Sequence, residues 1–122
     1  MRISGIDHVQ IAAPHGCEKA AREFYGALLG FEEIAKPEAL RGRGGCWFRC
    51  GVQQLHIGVE KDFCPARKAH PAFAVTGLDE LKAALLKCGL AVQDDDNIPG
   101  TRRFYAEDPW GNRLEFVETS RK

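Results

Sequence analysis

The sequence predicts an α+β fold in which a module of one strand, one helix and three further strands occurs twice. Two observations predict it. Apolar residues alternate in the short segments and follow the spacing of a helical stripe in two longer ones, and the order of these segments repeats after a polar connection. A chain of 122 residues suits one compact domain. We therefore predict a single domain over residues 1–122, with modules over about 3–61 and 68–119.

The first module opens with a strand over about Gly5–Ala13, in which His8 and Gln10 alternate with Val9 and Ile11. A turn then leads to an amphipathic helix, CEKAAREFYGALLG. Its predicted buried stripe, at the spacing i, i+4, i+7 and i+8, consists of Ala20, Phe24, Ala27 and Leu28. Three strands follow, in the segments FEEIA, CWFRCG and QQLHIGVE.

The second module repeats this order after the connection KDFCPARKAH. The segment AHPAFAV predicts a strand with His70 and Phe73 on opposite faces. The next segment predicts a helix whose apolar side carries Leu78, Leu81, Leu85 and Leu86. Three strands follow again, in LAVQDD, RRFYAED and RLEFVET, and the turn PWGN joins the last two.

Four side chains that can bind a metal lie at matching places in the two modules. His56 and Glu115 lie on the last strand of each module, 59 positions apart, and His8 and His70 lie on the first strand, 62 positions apart. All four have the parity opposite to the apolar, helix-facing residues of their strands. For one strand histidine alone, an ordinary structural role is the better interpretation. The coincidence of all four predicts a metal site.

The chemistry of this set suits a divalent first-row metal. Imidazole nitrogen and carboxylate oxygen are ligands for Zn, Ni, Co, Mn and Fe(II), and the sequence does not choose among these ions. A reactive metal would keep positions open for water or substrate. Arg49, Gln54, Arg103 and Tyr105 are the candidates for substrate binding. A strand arginine could hold a carboxylate or phosphate, and a solvated ion pair is its competing interpretation.

Composition excludes several classes of function. The formal net charge is zero, which argues against bulk electrostatic binding to nucleic acid or to anionic membranes. No apolar run approaches the roughly 20 residues of a membrane helix, and the N-terminal segment does not resemble a secretory signal, so we expect a cytoplasmic protein. The five cysteines, without Cys-x-x-Cys spacing, favour reduced structural thiols over a thiol nucleophile or a zinc knuckle.

Four segments carry a resemblance to a known superfamily: IDHVQI, FYGALLGFEE, HPAFAV and YAEDPWGNRLEFVE. The chain resembles, over its whole length, the vicinal oxygen chelate superfamily, the group of glyoxalases, bleomycin-resistance proteins and extradiol dioxygenases. The resemblance implies two βαβββ modules that form half-barrels around a metal, with ligands at His8, His70 and Glu115. It also implies a small-molecule substrate and a homodimer. His56 stands where glyoxalase I has a glutamate that takes part in proton transfer, which argues against lactoylglutathione lyase activity.

The resemblance implies a chemistry in which a metal stabilises the negative charge that develops on neighbouring substrate oxygens. We therefore expect a metal-dependent lyase or isomerase, or a dioxygenase, that acts on a small oxygenated molecule. The alternative is a metal-free small-molecule binding protein of the bleomycin-resistance type. A third hypothesis, a fosfomycin- or thiol-transferase-type resistance enzyme, could use Arg49, Arg102 and Arg103 but lacks a dedicated loop. The sequence assigns no catalytic residue.

Overall fold

The computed structural model describes residues 1–119. It contains two four-stranded mixed sheets, one in each half of the chain. The chain divides into the compact units Met1–Cys64 and Pro65–Lys122. Each unit consists of one strand, a helical segment and three strands, so the predicted α+β fold of two βαβββ modules is confirmed. The boundaries predicted for the modules remain a prediction.

The sheet of the first unit has the strand order β1-β4-β3-β2. Its strands are β1 (His8–Ala13), β2 (Glu32–Ile34), β3 (Cys46–Cys50) and β4 (Gln53–Val59). Strand β1 runs parallel to β4, and the other neighbouring pairs are antiparallel. A short 3-10 helix, Glu38–Arg43, precedes β3. Because side chains alternate along a strand, Leu55 and Ile57 of β4 both enter the core while His56 faces the other way.

The helix of the first unit changes its winding along its length. Helix α1 (Glu18–Ala21) continues as a π-helical segment, Arg22–Leu28. The predicted buried stripe is wrong except at Phe24, because the buried side chains are those of Cys17, Ala21, Phe24 and Tyr25. Tyr25 decides which side of the helix is buried, since its ring contacts the rings of Phe24, Phe31 and Phe48. Ala27, by contrast, is exposed.

The sheet of the second unit has the equivalent order β5-β8-β7-β6. Its elements are β5 (Ala72–Val75), α2 (Leu78–Lys87), β6 (Gln93–Asp95), β7 (Arg103–Glu107) and β8 (Arg113–Glu118). Of the predicted helix stripe, Leu78 and Leu85 are buried and Leu81 is half-buried. Leu86 is 51% exposed, because it follows Leu85 by about 100° around the helix and therefore points away from the sheet.

Strand pairing reproduces the predicted internal alignment. In the first unit Gln10 lies opposite His56, and in the second Ala72 lies opposite Glu115. The spacings of 62 and 59 positions found in the sequence are therefore the spacings of equivalent backbone pairs. In both sheets the strand that carries His56 or Glu115 lies between the first and third strands of its unit.

The turn before β8 is held by its own side chains. Asp108 accepts hydrogen bonds from the backbone N–H groups of Trp110 and Asn112, at 3.0 and 2.9 Å. Gly111 has φ +94°, which a glycine adopts without strain. The amide oxygen of Asn112 accepts the Ala66 N–H at 2.9 Å, which ties the start of the second unit to this turn. The turn thereby fixes the start of β8.

All five cysteines are free thiols in the structure, and Cys64 and Cys88 are exposed. Cys17 and Cys46 are buried, and burial raises the pKa of Cys46 to about 11. A thiol with so high a pKa is a poor nucleophile at neutral pH. Among residues 1–119, no helix has the length and apolarity that crossing a bilayer requires.

Candidate functional site

The polar face of the second sheet brings together His70 and Glu115. His70 lies just before β5, and Glu115 lies in the middle of β8, the strand that pairs with β5. His70 Nε2 is 2.8 Å from Glu115 Oε1. His70 Nδ1 is 2.9 Å from the carbonyl oxygen of Lys68. Two of the four predicted ligands are therefore in direct contact.

Arginine holds the other oxygen of this carboxylate. Arg103 Nη1 is 3.1 Å from Glu115 Oε2 and 2.9 Å from the hydroxyl oxygen of Tyr105. Its Nη2 donates to Asp95 Oδ1 at 2.8 Å. The side chains of Asp95, Arg103, Glu115 and His70 thus form one hydrogen-bonded chain across the sheet, in which Arg103 pairs with both carboxylates. Within residues 1–119, the buried Nε of Arg103 has no hydrogen-bond partner.

The electrostatics of Glu115 follow from this network. Burial alone raises the pKa of the carboxyl group, but the hydrogen bonds from His70 and Arg103, together with the charge of Arg103, outweigh it. The pKa of Glu115 is therefore lowered, and the carboxylate is ionised at neutral pH. An ionised carboxylate is the form that ligates a metal.

The polar face of the first sheet carries the other two predicted ligands in a stack of rings. His56 lies parallel to Trp47, at 3.7 Å and 3°, and stacks on His8 at 4.2 Å and 21°. Strand β4 lies between β1 and β3, so one ring flanks His56 on each side. His56 is only 4% exposed although it faces away from the core. Its Nε2 is 2.9 Å from Gln54 Oε1.

The surroundings of His56 favour its neutral form. Burial lowers the pKa of His56, and the nearby His8 lowers it further, while Asp7 acts weakly in the other direction. His8 itself is half-exposed, and its Nδ1 is 3.0 Å from Asp7 Oδ2. A neutral imidazole is the form that ligates a metal.

The second-unit pair fits a bound cation. A carbonyl oxygen only accepts, so His70 Nδ1 carries a proton, and in the neutral ring Nε2 presents a lone pair. That lone pair faces a carboxylate oxygen at 2.8 Å, and two such electron-rich atoms attract each other only when they share a proton or both ligate a cation. Lys68 in the second unit and Asp7 in the first supply the outer oxygen partners that orient metal-binding imidazoles in proteins.

Within either unit, the described residues contain no group of three histidine, cysteine or acidic side chains arranged to hold a metal. Each unit by itself supplies a pair: His70 with Glu115, and His8 with His56.

The candidates for substrate binding have different surroundings. Arg49 is exposed and pairs with Glu32 at 3.2 Å. Gln54 is hydrogen-bonded to His56, and Arg103 and Tyr105 belong to the network around Glu115. Asp95 and Arg113 were not among the site residues predicted from the sequence. Arg113 has the strand parity of Glu115, and this signal could have identified it.

Comparison with solved structures identifies relatives of the whole chain. A protein from Bacillus anthracis described as a glyoxalase family protein is 58% identical, and the match covers 98% of both chains with a TM-score of 0.94. A lactoylglutathione lyase from Agrobacterium tumefaciens shares the fold at 23% identity and a TM-score of 0.75, over 97% of this chain and 96% of that one. A glyoxalase/dioxygenase from Nostoc punctiforme shares the fold at 20% identity and a TM-score of 0.77. The match covers 97% of this chain and 92% of that one.

No protein-family model and no curated protein sequence matches the chain. The 58% identity to the Bacillus anthracis protein over nearly the full length of both chains, together with the repeated module, is sufficient to assign the chain to a family. The chain belongs to the glyoxalase family, within the vicinal oxygen chelate superfamily that its motifs predict.

Proposed function

We propose that this protein is a metal-dependent enzyme, a lyase or isomerase or else a dioxygenase, that acts on a small oxygenated molecule. The contact between His70 Nε2 and Glu115 Oε1 carries the proposal, because it brings two potential ligand atoms close enough for one metal ion to bind both. The metal, Zn, Ni, Co, Mn or Fe(II), would be held in the second unit by His70 and Glu115. When bound, it supplies Lewis-acid stabilisation of negative charge on substrate oxygens.

The residues of the chain prepare the ligands for this role. The Lys68 carbonyl fixes the His70 ring so that Nε2, and not Nδ1, faces Glu115. Arg103 holds one oxygen of Glu115 and leaves the other for His70 or a cation. Tyr105, opposite Glu115 on β7, carries a hydroxyl group beside these ligands, where it can orient a substrate oxygen. His8 and His56 remain predicted ligands from the first unit.

Metal content of the purified protein tests the proposal. Protein expressed without added metal should contain about one divalent ion per chain by elemental analysis. His70→Ala and Glu115→Gln should each lower the affinity by more than the roughly 10- to 100-fold that loss of an outer partner costs. His15→Ala, which removes an exposed turn histidine, is the matched control and should bind metal normally. Full metal content in both site variants would contradict the assignment.

The same experiment extends to the first unit and to the type of reaction. His8→Ala and His56→Ala test the two remaining predicted ligands. Fe(II) together with dioxygen uptake on catechols would select a dioxygenase, and Ni, Co or Zn together with hemithioacetal turnover would select a lyase.

A second candidate function has its own observation in favour. Glu115 is already paired by both His70 and Arg103, so its carboxylate is satisfied without a metal. This favours a metal-free small-molecule binding protein of the bleomycin-resistance type. Such a protein would bind its ligand equally well in the presence and absence of a chelator.

The homodimer and the cytoplasmic location remain predictions. Light scattering after size-exclusion chromatography measures the mass of the particle directly and tests the first of them.

A further inference from the structure

A groove of about 760 Å³ lies in the second unit beside the β7–β8 hairpin. Residues 89–93 form one wall, residues 105–109 form another, and Arg67 and Arg113 also line it. Its volume falls within the range of small-molecule sites in proteins. Tyr105 belongs both to the groove and to the network around Glu115, so the groove adjoins the His70–Glu115 pair.

Arg113 is the unusual residue of this groove. Its side chain is half-buried, and its guanidinium lies 4.1 Å from the centre of the Tyr105 ring. Within residues 1–119 it forms no ion pair and no side-chain hydrogen bond, whereas Arg103 on the neighbouring strand binds two carboxylates. A guanidinium presents five donors in a planar fork that matches a carboxylate. The stacking on Tyr105 fixes this fork in advance.

We propose that the groove binds a small organic carboxylate through Arg113, with Arg67 adding positive charge at the rim. The apolar body of the ligand would lie between Leu90 and Val92 of one wall and Pro109 of the other. This inference rests on the proposed function in one respect: the carboxylate-bearing molecule is the substrate of the adjoining site. The binding step itself requires only the groove and its arginines.

Benzoate is a suitable probe, because it joins a carboxylate to an apolar ring, and benzamide is its neutral counterpart. Binding is measured by titration of the metal-free protein, with amide chemical shifts as the readout, so that no metal contributes to the result. Benzoate should bind and shift the amide signals of residues 89–93 and 105–107, and benzamide should bind at least about tenfold more weakly. Equal binding of the two probes, or no benzoate binding, would overturn the proposal.

Variants assign the effect to Arg113. Arg113→Gln should weaken benzoate binding about tenfold or more, and Arg113→Lys, which keeps the charge but loses the planar fork, should fall between it and the wild type. Arg43→Gln, which removes an exposed arginine from the first unit, is the matched control. Unchanged benzoate binding in Arg113→Gln would overturn the assignment. Phenyl phosphate tests the other oxyanion, and tighter binding than benzoate would contradict a carboxylate as the ligand.

The two proposals fail independently. Elemental analysis of His70→Ala and Glu115→Gln decides the metal site without any carboxylate. The benzoate titration decides the arginine groove without any metal. If metal binds and benzoate does not, only the substrate class is wrong.

Discussion

The polar faces of the two sheets carry different side chains at equivalent backbone positions: a neutral imidazole in the first unit and an ionised carboxylate in the second. In the first unit, His56 lies between two aromatic rings, and burial lowers its pKa so that the neutral imidazole is favoured. In the second, Glu115 occupies the equivalent position in a hydrogen-bonded chain with the ionised side chains of Asp95 and Arg103 on one side and His70 on the other. Repetition of the module therefore fixes where a side chain lies on the sheet, and the residue type at that place decides whether the face is neutral or charged.

This difference explains how each face remains ordered. Stacked rings bury apolar surface and need few hydrogen bonds, so removal of one polar contact leaves the rest in place. A charged chain depends on each member, because loss of one partner leaves another charge buried and unpaired. The charged face is therefore the more easily damaged by substitution, and it is also the face with the electrostatic means to hold an ion.

Glu115→Gln should have the largest effect on stability. The neutral amide removes the negative charge that pairs with the largely buried guanidinium of Arg103, which within residues 1–119 already has one nitrogen without a hydrogen-bond partner. We expect a loss of about 2 kcal/mol in the free energy of unfolding, measured by urea denaturation of the metal-free protein. Glu107→Gln, at an exposed glutamate of β7, is the control. A loss below that of the control would remove the contrast between the two faces.

Strand parity predicted the contrast in part. Alternation alone assigned His56 and Glu115 to the polar faces and their apolar neighbours to the cores, and the structure agrees. It could not identify Asp95 as a partner of Arg103, because this contact depends on the pairing of β6 with β7 and on the reach of a long side chain. Strand parity predicts the face on which a side chain lies, whereas an ion pair also requires that its two charged groups lie within about 4 Å of each other.

Helix stripes were predicted less well than strand faces. Of the predicted stripe of the first helix only Phe24 is buried, because the prediction left out Tyr25 and Cys17 and took the helix as regular. The structure instead buries Tyr25 and Cys17 and winds the second half as a π-helix. A helix can rotate by one residue to bury a larger ring, whereas the same shift in a strand would exchange its two faces.

A double-mutant cycle should give the next largest effect. Trp47→Leu and His56→Leu remove the two rings with the closest stack in the first unit, at 3.7 Å. We expect a coupling of about 1 kcal/mol between them in urea denaturation, the usual value for a packed aromatic pair. Trp47→Leu combined with Val52→Ala, at an exposed hairpin position, should show no coupling. Equal coupling in both cycles would mean that the stack contributes nothing specific.

The dependence of the free energy of unfolding on pH distinguishes the two faces, because His56 and Glu115 titrate in different pH ranges. A change of pH leaves the packing of both faces in place, so we expect a smaller effect than from the substitutions above. The pKa of His56 is lowered from its ordinary value of 6.5, so the unfolded chain takes up this proton first and stability falls as the pH drops through 6.5. The pKa of Glu115 is lowered from 4.5, so its contribution is present above pH 4.5 and is lost below it.

Two substitutions assign these two steps in the stability profile. His56→Phe keeps a ring in the stack and should abolish the step that begins near pH 6.5. Glu115→Gln should abolish the step that begins near pH 4.5. His15→Ala controls for the loss of one imidazole. If the upper step persists in His56→Phe, the neutral character of the first face has another origin.

Arg49→Gln should have the smallest effect, and it extends the contrast to two arginines. Arg49 on β3 and Arg103 on β7 each pair with a carboxylate, but the side chain of Arg49 is 57% exposed and that of its partner Glu32 is 72% exposed. Water and salt screen such a pair, so we expect a change within about 0.5 kcal/mol, smaller still at about 1 M salt. A loss of stability as large as that of Glu115→Gln would show that exposure does not set the strength of these ion pairs. Normal stability together with weaker substrate binding would support the predicted role of Arg49 in holding the substrate.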